Sequence, residues 1–405
     1  MLKRQAQKYI NTYKGFKREV WILAGITFVN RAGTMVLPFL SKYLKEDLHF
    51  SFSQVGWLMT AFGLGSMLGS FLGGKLSDKV GFYNIMTFSL FGSSILFIAL
   101  QFITSFYALA IGIFILLTVA DMFRPAMFVS LGTLATPDTR ARSFTLVRLA
   151  VNLGFAAGPA IGGLLIMNLG YESIFWVDGL TCLSAVLLFL YFIPKPKHEI
   201  VPANDTHAHI KRSIPQAKFL WFLLASFGTA VLFFQLFSTL PLYHHDKYGL
   251  TEFQTGLLMT MNGLIIFFME MPVVSYFEKR KTSMLKLMAV GSLLMSSSFL
   301  VLIPGWNSNI LIISMLFMTF GEMFIFPFSN TFALSISPKH EQGKYMGFFT
   351  MSFSLAHICS SKGGLSVVDA YGYSSNWIFM TVIGVASLAV TFYLMRYMKS
   401  DVTSR

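Results

Sequence analysis

The sequence predicts an all-α membrane protein with twelve transmembrane helices arranged as two pseudo-symmetric six-helix bundles. Three observations carry this expectation. Of 405 residues, 55% are hydrophobic and only 12% are charged, with 43 phenylalanines and a mean hydropathy of +0.63; soluble chains carry about 25% charged residues. Apolar stretches of about 20 residues, the length a bilayer core requires, recur along the whole chain. The second half of the chain also repeats the first at a nearly constant shift.

The first predicted span, 20–44, follows a basic start from Lys3 to Arg18. That start runs into an apolar stretch too long for a signal h-region and lacks a clear small-residue cleavage site, so no cleavable signal is expected. Further spans read at 54–76, 84–104, 107–132, 144–167, 173–193, 218–243, 253–276, 285–304, 309–334, 344–368 and 375–396. The organisation is then a cytoplasmic basic segment 1–19, an N-terminal bundle 20–193, a cytoplasmic linker 194–217, a C-terminal bundle 218–396 and a cytoplasmic tail 397–405. The linker is polar and rich in Pro and His, which predicts a flexible connection. Its His198, His207 and His209 have irregular spacing and no partner Cys, so a solvated linker is favoured over a metal site. Cys182 and Cys359 lie far apart in apolar segments and predict two buried thiols, with no disulfide, no metal and no cofactor.

The net charge of +13 is distributed unevenly. Arg31, Arg124, Arg148 and Lys362 fall inside spans, Lys42, Lys45 and Lys247 fall in loops on the far side, and the remaining Lys and Arg collect on one face. This is the positive-inside bias, and it places both termini in the cytoplasm. Nucleic acid is not an expected partner, because no exposed basic domain interleaved with aromatics exists.

The internal repeat is specific. QVGWLMTAFG at Gln54 to Gly63 matches QTGLLMTMNG at Gln254 to Gly263 at six of ten positions. Leu37-Pro38 matches Leu240-Pro241, Asp121-Met122-Phe123 matches Glu322-Met323-Phe324, and Gly162-Gly163 matches Gly363-Gly364. A transporter built of two parallel repeats holds its substrate site near the midplane where they meet.

Within the fifth span, Arg148 to Gly163 reads RLAVNLGFAAGPAIGG, with Arg148, Asn152, Gly154, Gly158, Pro159, Gly162 and Gly163 as fixed points. In water this is a poor helix, since interior Gly costs about 1 kcal/mol and Pro about 3 kcal/mol relative to Ala. In a bilayer, small residues four apart make a flat strip for close helix packing, and neighbouring helices re-satisfy the groups that a Pro frees. The pattern resembles the antiporter motif of the twelve-span drug/proton antiporters in the major facilitator superfamily, and the resemblance implies that this strip packs against span eight and seals the cavity against proton leak. Between spans two and three, GKLSDKVGFY resembles the superfamily's loop motif, with Gly74, Leu76, Asp78 and Gly81 in place and Lys79 standing for the usual Arg. Phe82 and Tyr83 occupy positions that are normally basic. The resemblance implies a gating latch in which Asp78 accepts from Arg140, Arg142 or Arg148.

Ionisable groups at bilayer depth are costly and call for a partner or a task. Arg31 lies about 16 Å into span one at 1.5 Å per residue, with Asp121 and Glu322 at similar depth in spans four and ten. The resemblance implies that spans one, four, seven and ten line the central cavity, so all three would face the substrate path. Arg31 can pair with Asp121, with Arg124 one turn along on the same helix face. Glu322 has no basic partner except Lys362. A carboxylate without a cationic partner in low dielectric favours its neutral form, which a proton carrier needs. Glu322 is therefore the expected carrier, with Asp121 second and Arg31 the tuning charge; a structural ion pair competes for Asp121. Glu270, Lys362 and His357 keep open roles, and Asp178 reads as a structural helix-end residue. The sequence LTVADMFRP does not match the usual Arg of the fourth-span motif, which leaves the coupling ion an inference.

The expected substrate cavity comprises Arg31, Asp121, Arg124, Phe234, Phe237, Met323 and Glu322. Aromatic faces and thioethers suit bulky amphipathic ligands. A sugar importer would call for more Asn, Gln and Trp, and a peptide symporter would carry ExxER where span one has FVNRAG. The expected function is proton-coupled multidrug efflux by alternating access across a bacterial inner membrane, by a monomeric transporter and not an enzyme, with a small-molecule substrate, protons and the lipid bilayer as partners. The rivals are an exporter dedicated to one endogenous metabolite, such as a siderophore or sugar, and a non-transporting receptor or scaffold on the same fold.

Overall fold

The computed structural model describes residues 15–134, 140–195, 217–337 and 342–403, and the described chain contains helices and no strand. Among the described residues, ten helices are long and apolar enough to cross a membrane. One of them, Tyr345–Met398, spans 54 residues and holds two passes across a break at Gly372, where φ is 80° and ψ 175°. With the shorter Met284–Leu300, roughly 25 Å long at 1.5 Å per residue, the passes come to the twelve read from the sequence.

Spans one, four and seven are each broken, which the sequence reading did not anticipate. Span one runs Arg18–Ala32 and restarts at Val36–Lys42. Span four runs Phe106–Ala120 and restarts at Phe123–Leu134. Span seven runs Ala217–Phe234, passes through a 3-10 turn at Gln235–Phe237 and restarts at Thr239–Tyr248. Each restart carries a proline at its third position: Pro38, Pro125 and Pro241. A proline lacks the N–H for the bond to residue i−4 and its ring clashes with that carbonyl, yet it fits a first helical turn, where the N–H has no partner. The residues four back are Thr34, Asp121 and Phe237, each in the break itself. The repeated Leu-Pro pair thus marks the second helical piece of spans one and seven.

Side chains from other spans hold two of these breaks. Asp178 on span six, 1% exposed, accepts from the Met35 N–H at 2.9 and 3.2 Å and from the Val36 N–H at 3.0 Å, capping the restarted helix. Gln235 on span seven is fully buried; its Nε2 donates to the Ser360 carbonyl at 2.9 Å and Oγ at 2.8 Å, and its Oε1 accepts from Thr239 and from Asn376 Nδ2 at 3.0 Å. Spans six and twelve, equivalent in the repeat, therefore pin spans one and seven.

Spans two and eight begin with matching capping boxes. The Ser51 N–H donates to Gln54 Oε1 at 3.0 Å and the Gln54 N–H to Ser51 Oγ at 3.2 Å; Thr251 and Gln254 exchange the same pair at 3.0 and 3.3 Å.

The chain divides into two compact units. The first comprises Met1–Val36, Gly65–Gly158 and Leu169–Ala208, and the second Leu37–Leu64, Pro159–Asn168 and His209–Arg405. The first has a core of Leu23, Ile26, Met86, Leu90, Phe123 and Phe189. The second packs Met295, Met315 and Tyr243 around Trp377, which is fully buried and stacks on Phe299 at 5.5 Å. Cys182 is buried, as expected, but Cys359 is exposed on its helix, because an apolar span has a lipid-facing side as well as a packed one.

Candidate functional site

In the first unit the ionisable residues gather where spans one and four are interrupted. Arg31 ends the first piece of span one, and Asp121 sits in the break of span four. Both are half-buried, while Arg124 is exposed. Arg31 has Arg124, Asp121 and Cys182 as electrostatic neighbours, and its guanidinium lies 5.8 Å from the Phe155 ring centroid. Asp121 accepts a hydrogen bond from Ser66 on span two. Ser66 was missed by the sequence reading, since a lone Ser in a span carries no signal of its own.

In the second unit Glu322 lies inside the continuous helix Ile310–Ile336, 5% exposed. Its Oε1 accepts from Asn262 Nδ2 at 3.0 Å, and the same amide nitrogen donates to Thr319 Oγ1 at 2.9 Å. Lys362 turns elsewhere: its Nζ donates to the Ser53 carbonyl at 3.2 Å and Oγ at 3.1 Å and lies 4.6 Å from the Trp57 ring centroid. Met323 is 1% exposed, packed into the helix bundle. Phe234 lies 4.5 Å from the imidazole of His357, whose other ring neighbour is Phe62 at 4.9 Å; Phe237 meets Phe233 at 5.5 Å. Glu270 is buried on span eight.

The glycine strip of span five is split between two neighbours. A Cβ on Gly154 would sit 2.6 Å from Arg31 Cβ and 2.8 Å from the Ala32 nitrogen, and one on Gly158 3.1 Å from the Ala32 carbonyl oxygen. Beyond Pro159 the contact passes to span eight: a Cβ on Gly163 would meet Phe253 Cα at 2.7 Å, and one on Gly256 the Pro159 carbonyl carbon at 2.7 Å. Gly162 is buried, Asn152 half-buried and Arg148 exposed. In the loop motif, Gly81 has φ 86° and starts span three, a conformation that L side chains rarely adopt. Gly74 is half-buried against Pro125, and Lys79 is exposed. The side chains of Asp78, Arg140 and Arg142 lie outside the described residues, as do His198, His207 and His209.

At the ends of spans one, seven and eight a charged cluster gathers around Lys42, which the sequence reading assigned to a loop. Lys42 is fully buried; its Nζ donates to Glu252 Oε1 at 2.7 Å and lies 3.6 Å from Glu46 Oε2. His245 Nδ1 is 2.9 Å from Glu46 Oε1 and 3.5 Å from Asp246 Oδ1, and the Tyr373 hydroxyl donates to Asp246 Oδ2 at 2.6 Å. The neighbouring His244 is buried, 2% exposed. Ser41 Oγ donates to the Ser238 carbonyl at 2.8 Å beside this cluster.

A family model described as Major Facilitator Superfamily matches residues 23–361. The chain belongs to the Major Facilitator Superfamily. Among its superfamily relatives, the uncharacterized MFS-type transporter YqjV of Bacillus subtilis (strain 168) is 26% identical over 393 residues, covering 94% of each chain. YttB of the same organism, also an uncharacterized MFS-type transporter, is 25% identical over 392 residues, covering 95% of this chain and 96% of that one. The quinolone resistance protein NorA of Staphylococcus aureus is 29% identical over 241 residues, covering 57% of this chain and 59% of that one. A POT family transporter solved in complex with 5-aminolevulinic acid superposes with a TM-score of 0.78 at 15% identity, over 95% of this chain and 97% of that one. The nucleoside transporter NupG superposes with a TM-score of 0.73 at 13% identity, over 93% and 99%. At such identities the likeness speaks for the major facilitator fold alone. The chain is a multi-pass membrane transporter and not an enzyme.

Proposed function

We propose that this transporter exports small amphipathic molecules in exchange for protons, with Glu322 as the proton carrier. The observation that carries the proposal is the setting of Glu322, a carboxylate 5% exposed in a membrane-spanning helix whose hydrogen-bond partner is the neutral amide of Asn262. Among the described residues no Lys or Arg forms an ion pair with it. A buried carboxylate facing an amide rather than a cation is free to gain and lose its proton without breaking a salt bridge. Asp121, hydrogen-bonded to Ser66 and close to Arg31, is the second titratable group on the path, and Arg31 tunes it.

Supporting this reading are the complete glycine–proline motif of span five and the 29% identity to the quinolone resistance protein NorA. Phe234, Phe237 and Arg124 belong to the proposed substrate cavity, and Asp78, Lys79, Arg140 and Arg142 to the proposed latch. Residues 20–193 and 218–396 act as the two bundles that rock about the midplane. The basic face, with both termini, lies in the cytoplasm of a bacterial inner membrane, so the Lys42 cluster faces outward, and the working unit is a monomer.

The test is substrate-induced proton release from purified protein near pH 7, alongside a transport panel of chemically unrelated cations in proteoliposomes with an imposed pH gradient. Release is expected in the wild type and absent in Glu322→Gln; unchanged release in that variant refutes the carrier assignment. Transport confined to one compound favours a dedicated metabolite exporter, and transport of none favours a receptor or scaffold.

A further inference from the structure

We propose that Glu46, His245 and Asp246 form a site for a divalent transition metal, zinc foremost, that clamps the end of span one to the end of span seven. One ligand atom from each residue converges, and the three lie within 4.8 Å of one another. The two separations to His245 Nδ1, 2.9 and 3.5 Å, bracket the spacing of about 3.4 Å between ligand atoms around a tetrahedral zinc with bonds near 2.1 Å. Imidazole with carboxylate is a donor set that suits zinc; magnesium and calcium prefer oxygen alone. Three protein ligands leave the fourth position to water.

The surroundings orient the ligands and balance the charge. The Tyr373 hydroxyl donates to Asp246 Oδ2 at 2.6 Å, so the Oδ1 atom is the one turned to His245. Lys42 lies on Glu46 Oε2 at 3.6 Å, leaving Oε1 on the His245 side. Such outer partners fix the geometry of a metal site. Glu46 and Glu252 bring two carboxylates against the buried ammonium of Lys42 beside this group. Glu46 itself sits in a π-turn, Tyr43–Asp47, an element frequent at functional positions. When metal binds, His245 presents the lone pair of Nδ1 and keeps its proton on Nε2.

The metal joins residues from the first and second sequence repeats. On the alternating-access reading proposed above, these span ends part during transport, and a bound ion opposes that step; ion binding itself does not depend on that reading. The experiment titrates full-length protein in detergent with Zn²⁺, following binding by calorimetry and unfolding by a thermal melt. One Zn²⁺ per chain and a raised melting temperature are expected, with Mg²⁺ giving neither. His245→Ala is expected to weaken binding at least tenfold, and Glu46→Gln and Asp246→Asn each to weaken it, while their metal-free melts match the wild type. If His245→Ala melts early without metal, His245→Gln serves in its place. Absence of saturable Zn²⁺ binding, or equal affinity in the His245 variant, overturns the site. Zn²⁺ binding that leaves transport of an established substrate unchanged overturns the clamp.

Discussion

Asp178 shows how one side chain decides the course of a whole span. Its carboxylate takes both free N–H groups at the restart of span one, in a position 1% exposed. An unpaired buried donor costs about 1–3 kcal/mol, so Asp178→Ala is expected to lower stability by roughly 2–4 kcal/mol. Asp178→Asn, which keeps one acceptor oxygen, is expected to recover about half of that loss. Thermal unfolding of the purified variants checks both, and an Asp178→Ala melt equal to wild type would remove the capping role. The sequence placed Asp178 at a helix end but had no means to say whose helix it caps, because the partner lies over 140 residues away. The same holds for Glu322, which the sequence marks as an ionisable residue inside a span, whereas its bond to Asn262 was not legible. Asn262 stands 200 positions after Phe62 in the repeat, and that break from apolar character was the available hint.

Among the helices, span five carries the sharpest packing demand. Its motif was legible as a flat strip, and its contact with span eight was expected, but the contact of Gly154 and Gly158 with span one was not. Spacing reveals that a face is flat without revealing how many neighbours share it. Where span eight meets this strip there is no room for a side chain: a Cβ on Gly256 would lie 2.7 Å from the Pro159 carbonyl carbon, whereas one on Gly74 finds its nearest neighbour at 4.0 Å. Gly256→Ala is therefore expected to cost about 1–3 kcal/mol through forced backbone shifts, and Gly74→Ala less than about 0.5 kcal/mol. A thermal-melt comparison of the two decides the matter; equal shifts would mean that the strip is loosely packed. The breaks in spans one, four and seven were legible in hindsight from Pro38, Pro125 and Pro241, yet Pro159, Pro272 and Pro327 sit inside helices that stay continuous. Proline position alone does not separate the cases; spans one and seven are pinned at their breaks by hydrogen bonds to residues distant in sequence.

For the molecule as a whole, composition, span count and the repeat at a shift near 200 fixed the class and the fold before any coordinate was known. What composition concealed was the buried cation. Lys42 reads as a loop residue because its hydropathy is that of any lysine, and only the fold brings Glu252 to it across 210 positions. Removing one partner of a buried pair strands the other. Lys42→Met is expected to destabilise the protein by about 1–3 kcal/mol, less than a fully enclosed pair because Glu252 keeps 17% of its side-chain surface. The exchange Lys42→Glu with Glu252→Lys is expected to restore part of the loss, measured by thermal melts of the single and double variants. No recovery in the double variant would show that the two charges act independently.

The three interrupted spans have a mechanical consequence. Each is a jointed rod, and a rod with a knee bends at its middle while its far portion stays still. On the exchange mechanism proposed above, such a knee lets the part of a span that lines one mouth adjust as the bundles rock. Span ten has no such knee: Ile310–Ile336 runs on unbroken through Pro327, so its carboxylate is carried by one continuous helix.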